Sequence, residues 1–292
     1  SGRANKIDLL LRFPAPAAGS PVTLRLSPWV LPAPEGLKDV TLWAAARRGW
    51  FNALQCTARW GNQSEPYSSP AGIQSNNVVS DPCSMLLYMV ADAALLVPEL
   101  APRVSAMEQV RYSADWWLDH RMLESGEIIG YRGNYSDFLD TNPSLLITAW
   151  DYVEATDDLR WLKRRLAQLE LVAEFTAGRD IDGDGLYEAV QSGNAGTLIE
   201  PKRSCAAYDA INCGHQDAYC NALIYRGWLC LADLEAKLGR SEQEARYRRL
   251  AARLKAVYAK TLINPQTDYV AWWKSEDGQL HDLASPIVNG IA

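Results

Sequence analysis

The sequence lacks what a membrane or a nucleic acid would need. No apolar run reaches the roughly 18 residues of a spanning helix. Lys and Arg total 29 against 35 Asp and Glu, a net charge of −6. No basic stripe interrupts that balance, so a phosphate backbone finds no electrostatic footprint. Cysteine is sparse: six residues in 292, at Cys56, Cys83, Cys205, Cys213, Cys220 and Cys230. That density excludes a disulfide-built scaffold and reads as buried free thiols. The spacing of Cys213, His215 and Cys220 matches no strong zinc pattern. Phe is rare, at four against eleven Trp and thirteen Tyr. Trp and Tyr pair a flat apolar face with a polar tip, which suits sugar rings and equally a large helical core. What is present is ordinary globular material, 48% hydrophobic and 22% charged, which excludes disorder. The length suits one or two domains with a sizeable core. The opening Ser1-Gly2-Arg3 carries neither an initiator Met nor a signal-peptide pattern and reads as a processed start. The compartment stays open.

Residues 1–45 read as an extended or β segment. Ile7–Phe13 and Val22–Leu26 are short apolar or alternating runs separated by Pro14, Pro16, Gly19 and Pro21. From there to residue 292 the signal is helical, and two kinds of helix alternate. Ser84–Val97, Ser144–Val153 and Ala218–Leu234 are apolar on almost every face, as buried helices are. Between them, 102–121, 158–177 and 241–262 carry one apolar stripe at three-to-four spacing. Its positions include Val104, Met107, Val110, Ala114 and Trp117 in the first. Leu162, Leu166, Leu169 and Val172 mark the second, and Tyr247, Leu250 and Leu254 the third. Another buried helix is expected near Leu283. Asn142 before Pro143 reads as an N-cap, and Gly178 and Gly239 as stops. The pattern predicts an all-α fold, an α/α toroid of inner and outer helices. An α-solenoid fits less well, because its repeats are shorter than the roughly 60–70 residues seen here and are self-similar.

Connections from buried to one-sided helices are short, and the returning ones, 123–142, 178–216 and 263–282, are long. In a ring they all fall on one end, where long loops on a rigid scaffold carry function. The richest is the second. Asp180, Asp182 and Asp184 alternate with Gly183 and Gly185 close by, a layout that can wrap a hard cation in oxygen. Gln191 stands where an EF-hand would need Glu, so Glu188 and the Leu186 carbonyl are the expected closing ligands of a Ca²⁺ site. A metal-free Asp/Gly turn is the plain alternative. Arg203, Tyr208, Asp209, His215 and Asp217 then lead into a buried helix. Tyr208 and Ile211 surround Asp209 with apolar surface, which would raise its pKa as a general acid requires. A salt bridge with Arg203 is its other reading. Asp217 either caps the helix or meets a ligand. Asn77, Asp81, Arg132, Asp140 and Asn194 feed the same face with groups that suit a hydroxyl-rich ligand, or else cap helices. Trp50 can stack on a sugar or plug the core.

Several of these stretches together resemble one superfamily. Thr141-Asn-Pro-Ser-Leu-Leu-Ile-Thr-Ala-Trp150 with Thr156-Asp-Asp158 and Trp161-Leu resembles a stretch of trehalases and processing-glucosidase-like enzymes. Asp180–Glu188 followed by Ser192-Gly193 resembles their acidic loop, and Gly214–Tyr225 the helix after it. The chain is similar over about residues 50–292 to the (α/α)6, or six-hairpin, glycosidases, which include amylo-1,6-glucosidase and α-L-rhamnosidase enzymes. The resemblance implies a toroidal catalytic domain over 46–292 and inverting hydrolysis of a glycoside or oligosaccharide. One carboxylic acid protonates the leaving oxygen and a carboxylate activates water. Asn194-Ala195 replace the acid that trehalase-like members place after Ser-Gly, which moves the expected acid to Asp209. The base is expected in later hairpins, C-terminal to Ala292. Another chain or self-association completing the ring is an expected partner. A carbohydrate-binding relative without turnover is the alternative reading, and a prenyl-processing toroid fits the glycine-rich acidic loop poorly.

Overall fold

The computed structural model describes Thr41 and residues 87–96, 99–101, 104–129, 138–189, 205–206, 213–282 and 285–291. The chain divides into two units, Ser1–Pro32 and Ala33–Ala292, and the described residues belong to the second. The strand-like runs expected within 7–30 lie outside them. In chain order the elements are α1 (Leu87–Leu96), β1 (Glu99–Ala101), β2 (Val104–Ser105), α2 (Ala106–His120), α3 (Thr141–Thr156) and α4 (Leu159–Ala177). There follow β3 (Gln216–Asp217), α5 (Ala218–Lys237), α6 (Ser241–Leu262), β4 (Trp273–Lys274), β5 (Leu280–His281) and α7 (Pro286–Ile291).

The helices that the sequence makes apolar all round are the inner ones. α1 packs on α3 and α3 on α5, a continuous inner row. α3 is buried from Thr141 to Val153 apart from Trp150. Gly227 lets α5 approach closely, because a Cβ there would stand 3.3 Å from Pro143 of α3. The one-sided helices form the outer layer. α2 lies on α1 and α3, α4 on α3 and α5, and α6 on α5. Their stripes point inward, with Met107, Val110, Ala114 and Trp117, then Leu162, Leu166, Leu169 and Val172, then Tyr247 and Leu254 all buried. Each such aliphatic side chain contributes about 1.5–3 kcal/mol of burial. Three successive inner–outer hairpins of an α/α toroid result, and α7 packs on α5 as the next inner element.

Local chemistry sets the boundaries. α3 stops at Asp157, held at φ 53°, and α4 starts one residue later, where Asp158 accepts from the Trp161 N–H at 2.9 Å. Gly239, at φ 72°, follows α5 and turns the chain into α6. α2 begins where the Ser105 hydroxyl accepts from the Glu108 N–H at 3.3 Å. Exposed ion pairs tie the outer layer together. Arg165 of α4 reaches Asp115 of α2 at 2.8 Å, and Arg240 reaches Glu170 of α4 at 2.5 Å. Partly exposed pairs of this kind are worth about 0–1 kcal/mol each.

Two features differ from the sequence reading. Asn142 is not an N-cap: α3 begins a residue before it, so Asn142 sits in the first turn and its side chain faces neighbours (below). Pro143 is tolerated there because first-turn N–H groups have no partner within the helix. The second difference is a small amount of sheet. β1 and β2 pair antiparallel, and β3, β4 and β5 form an antiparallel sheet in that order. Strands of two residues have too little alternation to show in a sequence.

Candidate active face

The N-termini of α3 and α5 lie where the long connections 121–140, 178–217 and 263–285 arrive. Side chains lock these starts together. Tyr88, at the start of α1, gives its backbone N–H to the Ser144 hydroxyl of α3 at 3.1 Å. Its own hydroxyl meets that of Tyr219 in α5 at 2.9 Å. Asn142 clips the first loop down. Its Oδ1 accepts from the Ile128 N–H at 3.0 Å. Its Nδ2 donates to the Gly126 and Val172 carbonyls, each at 3.0 Å. Asn221 does the same for the second loop, accepting from the Tyr187 N–H at 2.9 Å and donating to the Tyr187 carbonyl at 3.0 Å. The third loop is sewn on by the sheet: Asp217 pairs with Trp273, and the Ala218 N–H donates to the Trp272 carbonyl at 2.9 Å.

The acidic loop folds as a chain of turns. Asp180 Oδ1 accepts from the Gly185 N–H at 3.0 Å, Asp182 Oδ1 from Asp184 at 3.0 Å, and Asp184 Oδ1 from Leu186 at 2.7 Å. Gly183 and Gly185, at φ 78° and 100°, supply conformations that L side chains rarely take. Ligand oxygens of Asp180, Asp182 and Asp184 lie within 4.8 Å of one another. Oxygens sharing one Ca²⁺ at about 2.3–2.6 Å must lie that close, so the all-oxygen set fits a hard cation. Glu188 stands apart from the three. Its Oε2 takes the Ile181 N–H at 2.7 Å and its Oε1 the Gln216 amide at 3.2 Å, so it fastens the loop from inside. Burial pushes its carboxyl up to about 7 against the pull of those two donors. The Leu186 side chain is buried. Around the rim, Arg253 pairs with Asp180 at 3.0 Å and donates to the Gly183 carbonyl. Gln216 also donates to Asp184 Oδ2 at 2.9 Å. His215, half-buried at φ 51°, faces Glu276 and Asp182, and burial still lowers its pKa.

Of the other candidates from the sequence, the structure places two at helix starts. Asp217 is the cap of α5, accepting from the Cys220 N–H at 2.7 Å. Asp140 occupies the cap position of α3 without a side-chain bond to its first turn. Both are 0% exposed. Of the two roles open to Asp217, capping is the one seen. Trp50, Asn77, Asp81, Arg132, Asn194, Arg203 and Asp209 lie outside the described residues. The loop that carries Asp209 is nevertheless anchored on both sides, because the Cys205 N–H donates to the Cys213 carbonyl at 3.2 Å and the Leu139 N–H to the Cys205 carbonyl at 2.8 Å. Gln216 and Asn221 had stood in the sequence only as part of the Gly214–Tyr225 resemblance, with no role of their own. Their signal was amide side chains placed among acidic turns and at a buried helix start.

No family model matches the sequence, and no curated protein matches it. Solved structures do match. An α-L-rhamnosidase from Dictyoglumus thermophilum superposes with a TM-score of 0.50 at 12% identity, over 75% of this chain and 23% of that one. A GH78 family rhamnosidase of Bacillus sp. GL1 superposes at 0.56 and 13%, over 82% and 23%. The likeness is one of fold, an α/α toroid of inner and outer helices. The chain covers only 23% of the length of each of these two neighbours. Among the described residues no helix is long and apolar enough to cross a membrane.

Proposed function

We propose that this chain belongs to a glycoside hydrolase, with its chemistry on the face where the inner helices begin. The observation that carries this reading is the toroid of inner and outer hairpins shared with two rhamnosidases, together with three long loops locked onto one end of it. Terminal α-L-rhamnosides are the first substrate class to try, since both neighbours act on them by name. In this reading Asp209 is the general acid. It lies in sequence between Cys205 and Cys213, whose backbones are hydrogen-bonded to each other. A general acid of this type donates its proton to the leaving oxygen while a carboxylate across the ring activates water, with the two about 6.5–9.5 Å apart for inversion. Asp180, Asp182 and Asp184 hold a Ca²⁺ ion that braces the second loop and supplies no chemistry.

The test is hydrolysis of 4-nitrophenyl glycosides, starting with the α-L-rhamnoside, by the chain and by Asp209→Asn. General acid catalysis contributes about 10²–10⁴-fold, so the variant should lose that much. NMR of the first-formed sugar reads the anomer, and inversion is expected. A folded chain that binds rhamnose but turns over no glycoside, even when joined to the later hairpins expected to carry the base, would refute the hydrolase reading and leave a binding protein.

A further inference from the structure

Beneath the candidate face lies a second cluster, of different chemistry. Cys205 and Cys213 bring their sulfurs to 3.9 Å. A carboxylate oxygen of Asp217 and these two sulfurs all lie within 4.8 Å of one another. Cys220 lies just outside that group, its thiol pointing at the Cys205 carbonyl at 3.9 Å and facing the Asp217 carboxyl. All four residues are 0% exposed. They come from three separate stretches of chain and converge at the first turn of α5.

One feature sets this apart from thiols that merely fill a core, and a second is compatible with a metal. The first is the carboxyl. Asp217 Oδ1 is occupied by the Cys220 N–H at 2.7 Å, while the buried Oδ2 makes no hydrogen bond of ordinary geometry and the carboxyl faces the Cys213 and Cys220 thiols and the Tyr219 N–H. An ionised carboxylate in such a place is costly unless a cation meets it. The second is the spacing. Sulfurs bound tetrahedrally to zinc at about 2.3 Å stand about 3.8 Å apart, close to the separation seen. A disulfide would instead need them at about 2.05 Å. None of the four described cysteines is in a disulfide.

We propose that Cys205, Cys213 and Asp217, with Cys220 turning in as the fourth ligand, form a buried structural zinc site. Sulfur donors select a soft or borderline ion over Ca²⁺ or Mg²⁺. Binding converts three thiols to thiolates and the Asp217 carboxyl to a carboxylate, so the thiol protons and the one that burial keeps on Asp217 leave to solvent as one Zn²⁺ enters, and no electrons move. The spacing of Cys213, His215 and Cys220 did not foretell this set, in which Cys205 takes part and His215 does not. The site would tie both ends of the 205–213 loop to the start of α5, and so stiffen the segment that carries Asp209. The proposal is independent of the hydrolase reading, since it concerns metal content and not turnover.

The test is elemental analysis of the 292-residue chain purified without chelator, followed by exchange with Co²⁺ alone. Expected are about one zinc per chain and, with cobalt, the intense visible bands and sulfur-to-cobalt charge transfer of a tetrahedral thiolate site. Cys213→Ser should lose those bands, while Cys230→Ala, which removes a buried thiol elsewhere in α5, should keep them. If Cys213→Ser does not fold, the cobalt spectrum of the unaltered chain still decides. A folded chain with neither zinc nor cobalt bands overturns the proposal. So does a weak octahedral cobalt spectrum, which would report the Asp180–Asp184 loop. Thiols that titrate in denaturant only after reduction would replace the zinc by a Cys205–Cys213 disulfide.

Discussion

Asn142 gives the sharpest test of how the face is held. It is 3% exposed and joins three segments through one amide: the 121–129 loop, the start of α3 and the middle of α4. Asn142→Ala removes three hydrogen bonds of 3.0 Å. The buried Ile128 N–H is left without an acceptor, which costs about 1–3 kcal/mol, and each lost bond is worth about 1 kcal/mol net. The Val172 carbonyl suffers least, because the Thr176 hydroxyl still donates to it at 2.9 Å. The sum is about 3–4 kcal/mol, a large share of the roughly 5–15 kcal/mol of a typical domain. Urea unfolding followed by tryptophan emission should show a lower midpoint at unchanged slope. Asn142→Asp sharpens the argument. It keeps the acceptor for Ile128 but turns a carboxylate oxygen toward two carbonyls. Its folded pKa should therefore be raised, so the variant should approach the parent at pH 4 and lose stability as pH rises to 7. If the alanine variant lies within about 0.5 kcal/mol of the parent, or the aspartate variant shows no such pH dependence, the clip does not hold the loop.

Three further outcomes are expected. Gly126→Ala should cost more than about 2 kcal/mol, because left-handed backbone is strained for alanine. Its Cβ would also stand 2.0 Å from the Leu171 carbonyl oxygen, and thermal unfolding checks the loss. Burial lifts Glu188 and Glu235 from about 4.5 to about 7, so the folded chain keeps protons that the unfolded chain has released. The stability this gives at acid pH is lost as pH rises through about 7, so the melting temperature should fall between pH 5 and pH 8, and Glu235→Gln should flatten the fall. Adding 10 mM Ca²⁺ to chelator-treated chain should raise stability by about 1.4 kcal/mol if the dissociation constant is about 1 mM. Asp182→Asn should abolish that response, and calorimetric titration checks both.

The helices were legible because their cause is local. Periodicity separates Ser144–Val153 from 158–177, and the start at Ser241 and end at Leu262 of α6 came from the stripe alone. The α3 start misled because Asn-Pro is a strong local cap signal, whereas the real constraint on Asn142 is three partners up to 30 residues away. The acidic turn was visible as a run, but the turning inward of Glu188 depends on Gln216, 28 residues on. The thiol cluster was invisible for the same reason. Cys205 meets Cys213 and Cys220 only when the loop folds back on α5, and no spacing rule encodes that return.

The pairing of Gln216 with Lys274, and of Lys274 with Leu280, has a consequence for how this scaffold can diversify. Two loops more than fifty residues apart in sequence share one strip of backbone hydrogen bonds. Neither can be exchanged alone without stranding the other's N–H and C=O groups. Recombination that grafts a new 178–217 loop from a relative should fail unless its 263–282 partner travels with it. Variation in recognition at this end of the ring would then be inherited in linked loops, the 121–140 loop among them, since its Leu139 N–H donates to the Cys205 carbonyl of the second.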